Sequence, residues 1–304
     1  MPRLVSTYSI AAIDRKAGQM GVAVQSHWFS VGSVVPWGEP GVGVVATQAF
    51  VEPSYGPKGL HLMRKGMGPG TALRQLLRAD RRADIRQVAM VDVKGRVAAH
   101  TGSKCLPHAG DMQGRGFTVQ ANLMSNDRVW PAMASAFTGS RGPLAERFLA
   151  GLEAAEKAGG DIRGRQSAAI LIVSISRPRD KWRGRLVDLR VEDHPRPLKE
   201  LRRVVRLSKA YDHANKGDDL VAENRFSDAM KEYALAAKGA PEIEELRFWQ
   251  GVTLLDKGRL KQALPLLVGA FRARRQWREV FASLPSYGLL HAEERVVKSI
   301  LARR

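Results

Sequence analysis

The chain has 304 residues, roughly twice a typical domain, so two separate cores are expected, and its 44% hydrophobic and 26% charged composition excludes a disordered or fibrous protein. Lysine and arginine exceed aspartate and glutamate by 49 − 30 = +19; residues 201–304 hold 20 basic and 13 acidic side chains, a net of +7, leaving 19 − 7 = +12 for residues 1–200. The excess is arginine-rich, spread over both parts and not interleaved with aromatics, which points away from nucleic acid as a partner.

The first fifty residues alternate as in a β-meander. Thr7 to Ile13 reads as a strand, Asp14 to Gly18 as a turn and Met20 to Ser26 as the returning strand. Pro36 to Pro40 reads as a punctuated connection, after which Gly41 to Gln48 forms a third strand whose glycines suggest close backbone approach. The period then becomes helical over Gly59 to Lys65 and Thr71 to Arg78, separated by the Gly-Met-Gly-Pro-Gly run that ends at Gly70. Strands return at Gln87 to Val93 and Arg96 to Thr101, joined through Lys94-Gly95 as a hairpin, and again at Gly116 to Leu123. Residues 129–158 suggest two helices split near Gly139 and Gly142-Pro143. Ser167 to Ser174, nearly continuous apolar sequence, reads as a strand buried on both faces, followed by a last strand at Arg185 to Val191. Blocks of strands and helices in this order fit an α+β sandwich of antiparallel sheets better than a doubly wound parallel sheet.

From about residue 197 the β signal ends and a repeat begins. Gly217, Ala229 and Ala236 recur as Gly251, Ala263 and Ala270, each displaced by 34 residues, the tetratricopeptide period. Small residues at such positions let paired helices cross closely, and Pro241 falls where that repeat ends its second helix, although the second copy has Arg275 there. The expected division is therefore residues 1–200 and a helical module over 201–304. Two repeats are few for such an array, so the module is expected to pack against the first domain or a second subunit, making a homo-oligomer the expectation.

No apolar run approaches the roughly 18 residues of a membrane span, and Met1 to Ser6 lacks the apolar core of a secretory signal, so the reading is a cytoplasmic protein with no membrane partner. The single Cys105 excludes an internal disulfide.

Several ordered stretches resemble the DUF1028 family of uncharacterised bacterial proteins. They are Thr7 to Ile10 (Thr-Tyr-Ser-Ile), Gly21 to His27 (Gly-Val-Ala-Val-Gln-Ser-His), Ala46 to Ala49, Pro53 to Pro57 (Pro-Ser-Tyr-Gly-Pro), Gly95 to Gly102 and Gly159 to Ala169. The resemblance covers roughly residues 6–200 and implies a fold like that of the N-terminal-nucleophile hydrolases, a four-layer αββα sandwich. That class uses a Thr, Ser or Cys at the start of the mature chain, whose own α-amine, with a pKa near 8, serves as base.

Thr7 opens the first strand as that nucleophile does. The sequence departs from the pattern in having six residues before Thr7, Ser6 rather than Gly at the junction, and no lysine where proteasome subunits place one. Ser9, on the same strand face, is a second nucleophile candidate without an amine of its own as base. Ser26 arrives beside the start of the first strand, and His27 follows it as a candidate base. Gln48, Tyr55, Asn122, Arg165 and Gln166 form a candidate substrate-binding set: amides donate and accept, and a guanidinium can hold a carboxylate in a two-toothed geometry. Loops Val51 to Lys58 and Cys105 to Arg115 are where specificity is expected.

No metal or cofactor is expected. Cys105 and His108 supply too few soft ligands for zinc, Asp188, Asp193 and His194 straddle a strand end, and no phosphate-cradling loop occurs. The leading expectation is an amide hydrolase, or a relative that only binds a small amide or carboxylate compound. The alternative is a non-catalytic scaffold whose helical repeats hold a peptide or protein partner.

Overall fold

A computed structural model describes residues 4–303. The chain divides into two compact units, with the division between Arg203 and Val204.

In the first unit, small and β-branched residues in alternation build two antiparallel sheets. Leu4–Val5 (β1), Pro36–Glu39 (β4), Gly43–Phe50 (β5), Arg86–Asp92 (β6) and Val97–Thr101 (β7) form a five-stranded sheet in which β1 and β4 both pair with β5. Thr7–Asp14 (β2), Gln19–Ser26 (β3), Gly110–Gly114 (β8), Phe117–Asn122 (β9), Ser167–Ser174 (β10) and Arg185–Val191 (β11) form the second, in the order β11-β10-β3-β2-β9-β8. The β2–β3 hairpin sets Thr7 opposite Ser26, and β9 sets Asn122 opposite Thr7 from the other side.

The two sheets face one another across an apolar layer that includes Ala11, Val22, Val24, Val44, Ala46, Ala89, Leu171 and Val173. On the outside of the five-stranded sheet lie Tyr55–Arg64 (α1) and Pro69–Ala79 (α2); Val129–Gly139 (α3) and Leu144–Lys157 (α4) cover the six-stranded sheet. The unit is thus α+β, layered helix, sheet, sheet, helix, and one residue, Ser6, carries the chain from β1 in one sheet to β2 in the other.

Three features depart from the sequence reading. The Pro36 to Pro40 stretch is a strand, not a connection: β4 lies along only the first half of β5 and starts at Pro36, an edge setting where missing amide donors are tolerated. The segment Cys105 to Arg115 contains β8, a Gly-Asp-Met-Gln-Gly strand with no β-branched residue, held at the sheet edge by its pairing with β9. The supposed loop Val51 to Lys58 already turns into α1 at Tyr55.

The second unit is helical, beginning within Pro197–Ala222 (α5) and continuing with Phe226–Gly239 (α6), Glu244–Asp256 (α7), Leu260–Ala273 (α8), Trp277–Ser283 (α9) and Glu294–Leu301 (α10). Helices α6 and α8 have equal lengths and starts 260 − 226 = 34 residues apart. Ala229, Ala236, Ala263 and Ala270 are all buried. A Cβ at Gly217 would lie 2.6 Å from the Tyr233 ring, and one at Gly251 would lie 2.8 Å from Leu267, so both glycines permit helix crossings that alanine would obstruct. Among the described residues no helix is long and apolar enough to cross a membrane.

Candidate functional site

At one end of the inter-sheet layer the apolar core gives way to hydroxyls and amides. Strand parity puts Thr7 and Ser9 of β2, Ser26 of β3, Gln48 of β5, Gln87 of β6, and Gln120 and Asn122 of β9 on inward faces, and all seven are fully buried. Burying so many polar groups is tolerable only if they satisfy one another. Ser9 donates to Gln48 Oε1 at 2.6 Å and accepts from Gln120 Nε2 at 2.5 Å. Gln48 Nε2 donates to Gln87 Oε1 at 2.7 Å, which also accepts from Asn122 Nδ2 at 2.9 Å. Gln87 Nε2 in turn donates to Thr101 Oγ1 and to the Ala121 carbonyl, both at 2.9 Å. The set bridges the two sheets.

The Ser6–Thr7 peptide bond lies beside this network. Thr7 Oγ1 donates to the Val5 carbonyl at 2.8 Å and lies 3.3 Å from Ser26 Oγ. The Ser6 carbonyl oxygen accepts from the Ser26 hydroxyl and, at 3.3 Å, from Arg163 Nη2. Arg163 is fixed by a two-toothed pair with the buried Asp161, at 3.2 and 2.9 Å, and Asp161 also receives the His27 amide at 3.3 Å. A hydroxyl and a guanidinium therefore converge on one carbonyl oxygen whose neighbour carries a hydroxyl. Two non-glycine residues with left-handed backbone adjoin the network, Ala49 (φ 68°) after Gln48 and Leu123 (φ 56°) after Asn122. Such conformations cost about 1–2 kcal/mol each and cluster where function constrains the backbone.

The sequence candidates separate into groups. Thr7, Ser9, Ser26, Gln48 and Asn122 come together between the sheets. Tyr55 does not join them: it sits in the core outside the five-stranded sheet, its hydroxyl donating to Asp80 at 3.1 Å. Arg165 is exposed and already holds a carboxylate of its own chain, Glu156, at 2.6 Å. Gln166 contributes its backbone amide to the Ser26 carbonyl at 3.0 Å. The Ser9 hydroxyl is engaged by Gln48 and Gln120 rather than by His27, whose Nδ1 is buried without a partner. On the outer face of the same strands, burial and the nearby Glu156 and Asp161 carboxylates push the Tyr8 phenol well above its usual range.

Gln87, Gln120, Asp161 and Arg163 were not among the sequence candidates. For Gln120 a signal existed: Thr118, Gln120 and Asn122 are polar at every second position of one strand, on the face a sandwich buries. Asp161 and Arg163 act from a connection, where no periodicity marks them. Among the described residues no cluster of His, Cys, Asp and Glu is disposed to hold a metal ion.

A family model described as a family of unknown function, DUF1028, matches residues 7–201. The crystal structure of protein SPO2555 from Silicibacter pomeroyi, of the same family, is similar at 32% identity with a TM-score of 0.60, covering 66% of this chain and 84% of that one. No curated protein matches.

Proposed function

The chain belongs to the DUF1028 family, whose function is unknown, and from that premise we propose that its first unit is an amide hydrolase of the N-terminal-nucleophile type whose first substrate is its own Ser6–Thr7 bond. The observation that carries this reading is the Ser6 carbonyl oxygen held by Ser26 and Arg163. Donors aimed at the oxygen where negative charge develops lower the barrier to attack on its carbon.

In this reaction Thr7 Oγ adds to the Ser6 carbonyl carbon. Charge collects on the oxygen between the Ser26 hydroxyl and the Arg163 guanidinium. As the C–N bond breaks, the proton of the Thr7 hydroxyl passes to the Thr7 nitrogen and the acyl group rests on Oγ as an ester. Water then hydrolyses that ester, releasing the Ser6 carboxylate and restoring the Thr7 hydroxyl, toward which the α-amine freed by the C–N cleavage, with a pKa near 8, can act as base in later turnovers. Because the intact chain covers the Thr7 hydroxyl completely, turnover of external amides must follow removal of the preceding residues. The vacated place along β5, now filled by Leu4 and Val5, suits an extended amide compound.

Mass spectrometry of the purified chain during prolonged incubation tests this. A species starting at Thr7 should accumulate, with Thr7→Ala blocking it and Arg163→Ala slowing it by about 10²-fold or more, as loss of an oxyanion donor does. The competing reading, an interaction protein whose tetratricopeptide-like helices hold a peptide, draws on the full burial of Thr7. A chain that stays intact and turns over no amide in a panel would favour it.

A further inference from the structure

Outside the five-stranded sheet, between the start of α1 and the end of α2, lies a pocket of about 440 Å³. Glu52, Tyr55 and Lys58 line it from the α1 side, and Leu76, Ala79 and Asp80 from the α2 side. Its volume falls within the roughly 300–1,000 Å³ of small-molecule sites.

The charges of this pocket are not equivalent. Asp80 is committed within the fold: Arg86 Nε donates to it at 2.8 Å, the Arg82 amide at 2.9 Å and the Tyr55 hydroxyl at 3.1 Å. Arg86 is itself only 6% exposed and also donates to the Phe50 carbonyl at 2.5 Å, so this pair neutralises itself and ties α2 to the end of β5. Glu52 and Lys58 are different. Glu52 uses Oε1 to accept the Ser54 amide at 3.1 Å, and neither Glu52 nor the exposed Lys58 enters an ion pair among the described residues. One carboxylate and one ammonium remain, alongside an apolar wall made of Leu76, Ala79 and the Tyr55 ring.

We propose that this pocket binds a small zwitterion, one primary ammonium and one carboxylate on a short aliphatic body, the chemical class of the free α-amino acids. Glu52 takes the ammonium and Lys58 the carboxylate in charge-assisted contacts, while the aliphatic part covers Leu76 and Ala79. A ligand with only one charge meets the like-charged member of the pair uncompensated: a plain amine is repelled by Lys58, a plain acid by Glu52. The pocket therefore selects against half-ligands as well as for the whole. This site is independent of chemistry at Thr7.

Isothermal titration of the full chain with L-leucine, L-leucinamide and N-acetyl-L-leucine tests the proposal. L-Leucine should bind saturably, and the two singly charged analogues about tenfold or more weakly, as loss of one charged hydrogen bond implies. Lys58→Ala and Glu52→Gln should each weaken L-leucine by about the same factor while melting as the parent does, since a glutamine can still accept the Ser54 amide. The Thr7→Ala chain should bind as the parent does, which separates this site from the hydrolase reading. No saturable binding up to about 10 mM, analogues equal to L-leucine, or variants equal to the parent would overturn it.

Discussion

One side-chain amide, that of Gln87, is shared by both sheets: it accepts from Gln48 of its own sheet and from Asn122 of the other, and donates to the Ala121 carbonyl. A leucine there would take a hydrogen-bond partner from Gln48, Asn122, Thr101 and the Ala121 carbonyl at once, whereas each partner viewed alone is an ordinary strand residue. At Asp80 the balance is electrostatic. Burial alone would raise its pKa, but hydrogen bonds from Arg86, the Arg82 amide and Tyr55 outweigh burial and hold the carboxyl below its ordinary value. A depressed carboxylate stabilises the fold fully above its unfolded pKa of about 4, and that contribution drains away as pH falls through the folded value. Asp80→Asn should therefore lower the melting temperature at neutral pH and flatten its decline in acid, so the gap between variant and parent closes as pH drops. Parallel melting curves from pH 7 to 3 would contradict the assignment.

Among the elements, the paired glycines of the second unit make the sharpest case. Gly217→Ala drives a methyl into the Tyr233 ring and Gly251→Ala drives one into Leu267, and each should cost about 1–3 kcal/mol despite the better helix propensity of alanine. Circular dichroism melts decide: if both variants melt higher than the parent, propensity outweighs packing and the close crossings are not tight. These glycines were readable in the chain because the same small residues recur at one interval. The hairpins were readable for a similar reason, since β2, β3, β10 and β11 carry enough branched or alternating residues to declare their period. The edge strands were not. β8 exists through the backbone groups of β9 and β4 through those of β5, and no side-chain pattern of their own announces them. The site divided in the same way: Thr7, Ser26, Gln48 and Asn122 stood out as polar residues at strand ends, Tyr55 of the Pro53 to Pro57 stretch lies on α1 outside the five-stranded sheet, and Arg163 depends on how a connection folds back.

For the molecule as a whole, the chain shifts from mixed sheets and helices to helices alone inside α5, and the two units hold separate cores, one between the sheets and one around Phe248, Leu267 and Phe281. A polypeptide ending at Arg203 should accordingly melt in one cooperative transition with the β-rich circular dichroism of two sheets. A broad, non-cooperative melt would mean that the first unit borrows stability from the second. Arg202 and Arg203 fall in the first unit, so the excess positive charge is shared as 12 + 2 = +14 and 7 − 2 = +5, and neither unit should depend on the other for solubility.

The passage of the chain through Ser6 also bears on how the protein is made. A ribosome releases Leu4 and Val5 before the residues they pair with, Phe50 and Ala49, and releases Thr7 long before Asn122, its partner 115 positions later. The earliest-made strands are thus among the last to find their complete hydrogen-bonding, and the two sheets cannot mature one after the other, because a single residue ties them. Nascent chains stalled with residues up to about 100 outside the tunnel should hold the β2–β3 hairpin yet leave both its edges bare, since β9 and β10 are still unmade, the interval in which a chaperone would have most to cover.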